Sequence, residues 1–305
     1  MRSRTSRRWW QHGRASSEAK RVSIDHEALF KHPDECLLIL VLSAHVNDTM
    51  RHLAASAVLV STLLIGCADS VDNRTRLSIF AASSLTDAFQ ELASEFEAQN
   101  PDVALELAFA GSQILSLQIE QGAPFDLFAS ADEGHVQRLV DGGYVHPPQI
   151  IAATDLVLVI PTDNPAGLET FQDLPKASRI VVGNEFAPIG SYTHEILERA
   201  TAELGASFGS AVRRRITSME SNVRLVRAKV ELGEADAALV YRPDALSSSR
   251  VLAIPIPGVW NVSARFPVAV STQTDHETEA ARFLRFLASP KARETLKEHG
   301  FVRTS

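Results

Sequence analysis

The order of local patterns constrains this chain more than any single residue does. Three times in succession an apolar run gives way to a turn of small residues and then to apolar positions at helical spacing. "LSIFAA" (77–82) precedes Leu85, Ala88, Phe89, Leu92 and Phe96, and Pro101 closes the segment. "VALELAFA" (103–110) alternates in period two and leads into "GSQILSLQIEQG". "FDLFAS" (125–130) leads into "ADEGHVQRLVDGG", where Asp132 reads as an N-cap and Gly142 as a helix stop. Strand, turn and helix in alternation predict an α/β fold with an open, mostly parallel sheet and helices on both faces. Ligands of such sheets sit beyond the carboxyl ends of the strands.

A second series opens at "DLVLVIP" (155–161), runs through "RIVVGNEFAPIGSYTHEILERA" and "SNVRLVRAKVELGEADAALVYRPDAL", and closes near "IPIPGVW". The chain then returns through "RFPVAVST" to the terminal helical stretch "ETEAARFLRFLASPKARETLKEHGF". Two crossings follow, near 153 and near 265. They divide the chain into one lobe of residues 76–153 plus 265–305 and a second of residues 154–264. A cleft between lobes, closing by a hinge over its ligand, is the common outcome of that connectivity.

With 305 residues, 45% hydrophobic and 22% charged, the chain can bury a sizeable core. A formal net charge of −7 argues against a nucleic-acid surface, which needs a basic face to displace counterions from phosphates.

The segment "MRHLAASAVLVSTLLIGCADS" from Met50 has the layout of a signal peptide: a basic start at Arg51 and His52, an apolar run from Leu53, then Gly66 and Cys67. At about 1.5 Å per residue the run makes a helix of roughly 21 Å, short of the ~30 Å hydrocarbon core of a bilayer. The "LIGC" ending resembles a bacterial lipobox, so residues 50–66 are expected to be removed and Cys67 to carry lipid. Residues 67–75 then form a polar tether. Residues 1–49 precede this signal, and a translation start at Met50, or an unusually long basic leader, would account for them. Cys36, the other cysteine, lies upstream of the proposed cut, so no disulfide with Cys67 is expected.

Ser84 and Ser112 stand where the first and second strands turn into helices. Each brings a hydroxyl, and the helix start behind it brings unpaired backbone N–H groups. Taken singly, each serine is explained by N-capping, worth about 1 kcal/mol. Taken as a pair they suit an anion held by neutral donors, provided a second lobe supplies more.

The motifs "FAASSL", "FAGSQ", "GAPFDLFASAD", "VGNEFAPIGSY", "SNVR" and "GEADAALVYRPDA", in that order from about Leu77 to Phe301, resemble the molybdate-binding solute receptors of ATP-binding-cassette importers. The resemblance implies a two-lobed periplasmic-binding (type II) fold that holds an oxyanion through Ser84, Ser112, the backbone amides of Ile189 and Val223, and the Tyr241 hydroxyl. It implies molybdate or tungstate as a transported ligand, with no cofactor and no catalysis. The implied partners are a membrane permease and its ATPase, served by an extracytoplasmic, lipid-anchored monomer. Ile189 departs from the alanine usual in the family's motif: the change is tolerated if only its backbone N–H is used, whereas a branched side chain beside the pocket would shrink it or tilt the loop, with Gly190 sharing the donor role. None of the five positions is acidic. A site without a carboxylate has no acceptor for a ligand proton, and so favours fully deprotonated tetrahedral dianions over hydrogen phosphate. A receptor for another such anion, sulfate for example, is the alternative, and an enzyme on the same fold a more distant one.

Asp126, Asp132 and Glu133 match no metal-ligand spacing and are better explained by helix capping. Arg213, Arg214 and Arg215 are expected on a solvated helix face. Ser84 stands in no GxSxG elbow and the chain has no GxxxxGK[ST] loop, so Ser84 has no visible base and a nucleotide no visible cradle.

Overall fold

The computed structural model describes residues 73–302. The proposed leader, signal peptide, lipid-bearing Cys67 and the tether up to residue 72 lie outside the described residues.

The first strand–helix series forms as its periodicity requires. Strand β1 (Thr75–Ala82) pairs in parallel with β2 (Val103–Ala110) along its whole length and with β3 (Leu127–Ala129) on its other side. Helix α1 (Thr86–Gln99) buries Ala88, Phe89, Leu92, Ala93 and Phe96, the stripe marked by its helical spacing. Helix α2 (Ser112–Glu120) follows β2, and α3 (Glu133–Asp141) follows β3. Asp132 caps α3 by accepting the His135 N–H at 3.1 Å, and Gly142 closes it.

The second series contains β4 (Gln149–Pro161), β5 (Ile180–Gly183), α4 (Pro188–Leu204), α5 (Ala206–Arg213), β6 (Ile216–Glu220), α6 (Val223–Glu231), β7 (Ala237–Tyr241), α7 (Arg242–Leu246) and β8 (Val251–Pro255). The chain ends with β9 (Ser263–Val270), α8 (Glu277–Leu287) and α9 (Pro290–Glu298). The strand order is β2-β1-β3-β9-β4-β7-β5-β6, with β8 attached to β4. Strands β1 to β3 run parallel in one half of this sheet and β5 to β7 in the other, as the alternation predicts.

Strand β4 begins six residues before the apolar run that marks it in the sequence. Residues Gln149 to Asp155 pair with β9, while Leu156 to Pro161 pair with β7 and β8. One strand therefore serves both halves of the sheet, and Ala153 faces Arg265 in its ladder with β9. Among the described residues, no helix is long and apolar enough to cross a membrane.

Of the three acids weighed as metal ligands, only Asp132 is a helix cap. Asp126 is a tie between strands: its carboxylate accepts the Ser78 N–H at 2.7 Å and the Thr274 hydroxyl. Glu133 pairs with Arg265 at 3.1 Å. No group of three or more potential metal ligands stands together among the described residues.

Candidate functional site

Every one of the five residues singled out lines one small cavity, and they reach it from five different elements. Ser84 occupies the middle of a single 3-10 turn, Ser83–Leu85, between β1 and α1. The helix begins two residues later than its position in the sequence suggests, and its N-cap, Leu85, offers no side-chain acceptor. Capping therefore does not explain Ser84. The residue is buried and its hydroxyl has no hydrogen-bond partner among the described residues.

Ser112 is the first residue of α2, with Gly111 as N-cap. Its Oγ accepts the Ala131 N–H at 3.0 Å. Because that bond uses a lone pair of the hydroxyl, its proton stays available for donation. Val223 opens α6 behind its N-cap Asn222, whose side chain accepts the Leu225 N–H. Ile189 is the second residue of α4, after Pro188, and helix geometry leaves its N–H without an intrahelical acceptor. Gly190 does not share that role, since its N–H donates to the Ala187 carbonyl at 2.9 Å.

The branched side chain of Ile189 is 2% exposed. A Cβ built on Gly183 would lie 2.5 Å from its γ2 methyl. The glycine at the end of β5 thus makes room for the branch, and the isoleucine is absorbed as packing.

Tyr241 ends β7 and is 1% exposed. Its ring is held edge-on by Tyr192 at 6.2 Å and Phe266 at 5.7 Å, while its hydroxyl has no partner among the described residues. Burial, reinforced by Tyr192, Asp132 and Asp244 nearby, pushes its pKa well above the usual phenol value, so the group remains a donor.

The starts of α2, α4 and α6 thus converge with the Ser84 turn on one small space. Helix starts carry unpaired N–H groups and a partial positive charge, a combination suited to an anion. The lining contains no Asp, Glu, His, Lys or Arg, so a bound anion would be met by dipoles alone. Sequence reading did not single out Gly111, Ala131, Ser221 and Asn222 of the same lining. Of these, only Asn222 carries a local signal, as the N-cap of α6.

Residues 77–302 match the family model described as bacterial extracellular solute-binding protein. The chain belongs to that family. It is 32% identical over 271 residues to the molybdate-binding protein ModA of Mycobacterium tuberculosis, covering 83% of this chain and all of that one. It is 33% identical over 237 residues to its namesake in Escherichia coli, covering 74% of this chain and 89% of that one. The fold of the periplasmic molybdate-binding protein of Azotobacter vinelandii is also similar, with a TM-score of 0.66 at 22% identity, covering 75% of this chain and all of the other.

Proposed function

We propose that this solute-binding protein captures molybdate or tungstate outside the cytoplasmic membrane and delivers it to the permease and ATPase of an ATP-binding-cassette importer. It does so as a non-catalytic, lipid-anchored monomer attached through Cys67, with the oxyanion held by Ser84, Ser112, Tyr241 and the N–H groups of Ile189 and Val223. The carrying observation is the meeting of three helix starts with two unpartnered hydroxyls in a cavity lined by no charged side chain, in a chain about a third identical to named molybdate-binding proteins. A tetrahedral dianion supplies acceptors in every direction from which these donors come. Residues 76–153 plus 265–305 and residues 154–264 act as the two lobes that close on it.

Titration calorimetry of the purified protein with molybdate, tungstate, sulfate and phosphate tests the reading. Binding of molybdate and tungstate in preference to sulfate, with no binding of phosphate, is the expected pattern. A clear preference for sulfate would reassign the receptor, and no binding of any of the four would remove the proposal.

Closure has its own test at Gly111. Its φ of −65° and ψ of 138° are open to any residue, yet an alanine Cβ would meet the Ser221 carbonyl oxygen at 2.4 Å. Ser221 belongs to the other half of the sheet, so alanine forces the two sides apart while leaving each able to fold. Overpacking of about 1–3 kcal/mol corresponds to roughly a 5- to 150-fold loss of affinity. Gly111→Ala should show that loss with little change in the melting temperature of the unliganded protein. Wild-type affinity in the variant would mean that ligand binds without this approach.

A further inference from the structure

Beside the cavity two side chains tie its two sides together: Gln113 of α2 donates to the Ser221 carbonyl at 2.6 Å, and Arg224 makes a two-point contact. Arg224, the residue after Val223 in α6, donates from Nε to the Ser83 carbonyl at 2.8 Å and from Nη2 to the Asp87 carboxylate in α1. The Ser83 oxygen also accepts the Thr86 N–H and the Thr86 hydroxyl, the latter at 2.7 Å. Three donors therefore pin one carbonyl. A peptide group is planar and trans, so pinning the Ser83 oxygen also fixes the direction of the Ser84 N–H and the placement of the turn that carries the Ser84 hydroxyl. At its other end the guanidinium belongs to the residue directly following Val223. Its forked geometry is what such a two-point contact requires, and a lysine would replace only its charge.

We propose that Arg224 is a positioning residue and a latch: by joining α6 to the Ser83–Leu85 turn and Asp87, it sets the register of the donors contributed by the two sides and slows their separation. Its action on ligand rests on the oxyanion-receptor reading above. A latch acts after encounter, so its loss shows in the dissociation rate far more than in the association rate. The Asp87 arm is partly exposed, with 28% of the Arg224 side chain and 39% of the Asp87 side chain accessible, so salt weakens it. The Ser83 arm is a charge-assisted bond to a carbonyl and carries most of the effect.

The test compares wild type with Arg224→Met, Arg224→Lys and Asp87→Asn. Arg224→Met should raise the molybdate dissociation rate, followed by chasing labelled molybdate with unlabelled anion, about 10- to 100-fold. The association rate should stay within about threefold. Arg224→Lys should recover only part of the loss, and Asp87→Asn should resemble wild type in high salt. Small-angle scattering of unliganded Arg224→Met should show a more expanded particle than wild type. If wild type binds none of the anions, the receptor reading fails, and the scattering comparison still decides the latch. An unchanged scattering profile, an unchanged dissociation rate, full rescue by lysine, or a loss confined to the association rate would each overturn it.

Discussion

Tyr241→Phe should weaken molybdate binding roughly 10- to 150-fold while making the unliganded protein more stable. The variant deletes one hydrogen bond to a charged acceptor, worth about 1.5–3 kcal/mol, at about 1.4 kcal/mol per decade of affinity. The ring stays where it is because Tyr192 and Phe266 hold its edges and faces. The gain in stability comes from the same atom. A buried hydroxyl with no partner costs about 1–3 kcal/mol, and the Tyr241 hydroxyl is buried with no partner among the described residues. Phenylalanine removes it without opening a void, so the unliganded melting temperature should rise by a few degrees, at roughly 2–4 °C per kcal/mol for a domain of this size. Calorimetry and thermal melts together decide the matter. Affinity within twofold of wild type would remove Tyr241 from the site, and an unchanged melting temperature would mean that solvent satisfies its hydroxyl when ligand is absent.

Asp244→Asn should abolish a pH dependence of stability that the wild type carries between about pH 4 and pH 7. Asp244 lies in α7, buried, and neither carboxylate oxygen has a hydrogen-bond partner among the described residues. Burial raises its pKa from 3.8 to about 7; Asp87 adds to that rise, while Arg224 and Arg227 oppose it. Between the two values the folded protein holds a proton that the unfolded chain has released, so stability falls as pH rises through this window and is lowest above it. A shift from 3.8 to about 7 amounts to a difference on the order of 4 kcal/mol at 1.36 kcal/mol per unit. Asparagine keeps the shape and cannot ionise. At pH 4 the two proteins should melt within a degree or two of each other; at pH 8 the variant should melt on the order of 10 °C higher. A difference that stays constant from pH 4 to pH 8 would show that Asp244 is not the titrating group.

The parts of the molecule legible in its sequence are those encoded within a few residues. The three strand–turn–helix repeats appear where their periodicity puts them, because α1 can bury Phe89, Leu92 and Phe96 together only as a helix. Asp132 caps α3 through an N–H three residues away, a relation visible in the sequence itself. The family motifs also marked five residues that meet at one cavity, although they lie as far apart in the chain as Ser84 and Tyr241.

What the sequence could not determine depends on which distant segments become neighbours. The length of β4 is set by β9, β7 and β8, strands that follow it in the chain by about 75 residues or more, so its first residues show no strand pattern of their own. Ser84 and Ser112 look alike in sequence, yet the Ala131 N–H occupies a lone pair of the Ser112 hydroxyl, whereas no group among the described residues bonds that of Ser84. Arg224 reads as one more surface arginine of an amphipathic helix until the Ser83 carbonyl, 141 residues away, is set beside it. Periodicity and capping are local properties of the chain, whereas an unpartnered hydroxyl, a raised carboxyl pKa or a latch is a property of surroundings that exist only once both halves of the sheet have come together.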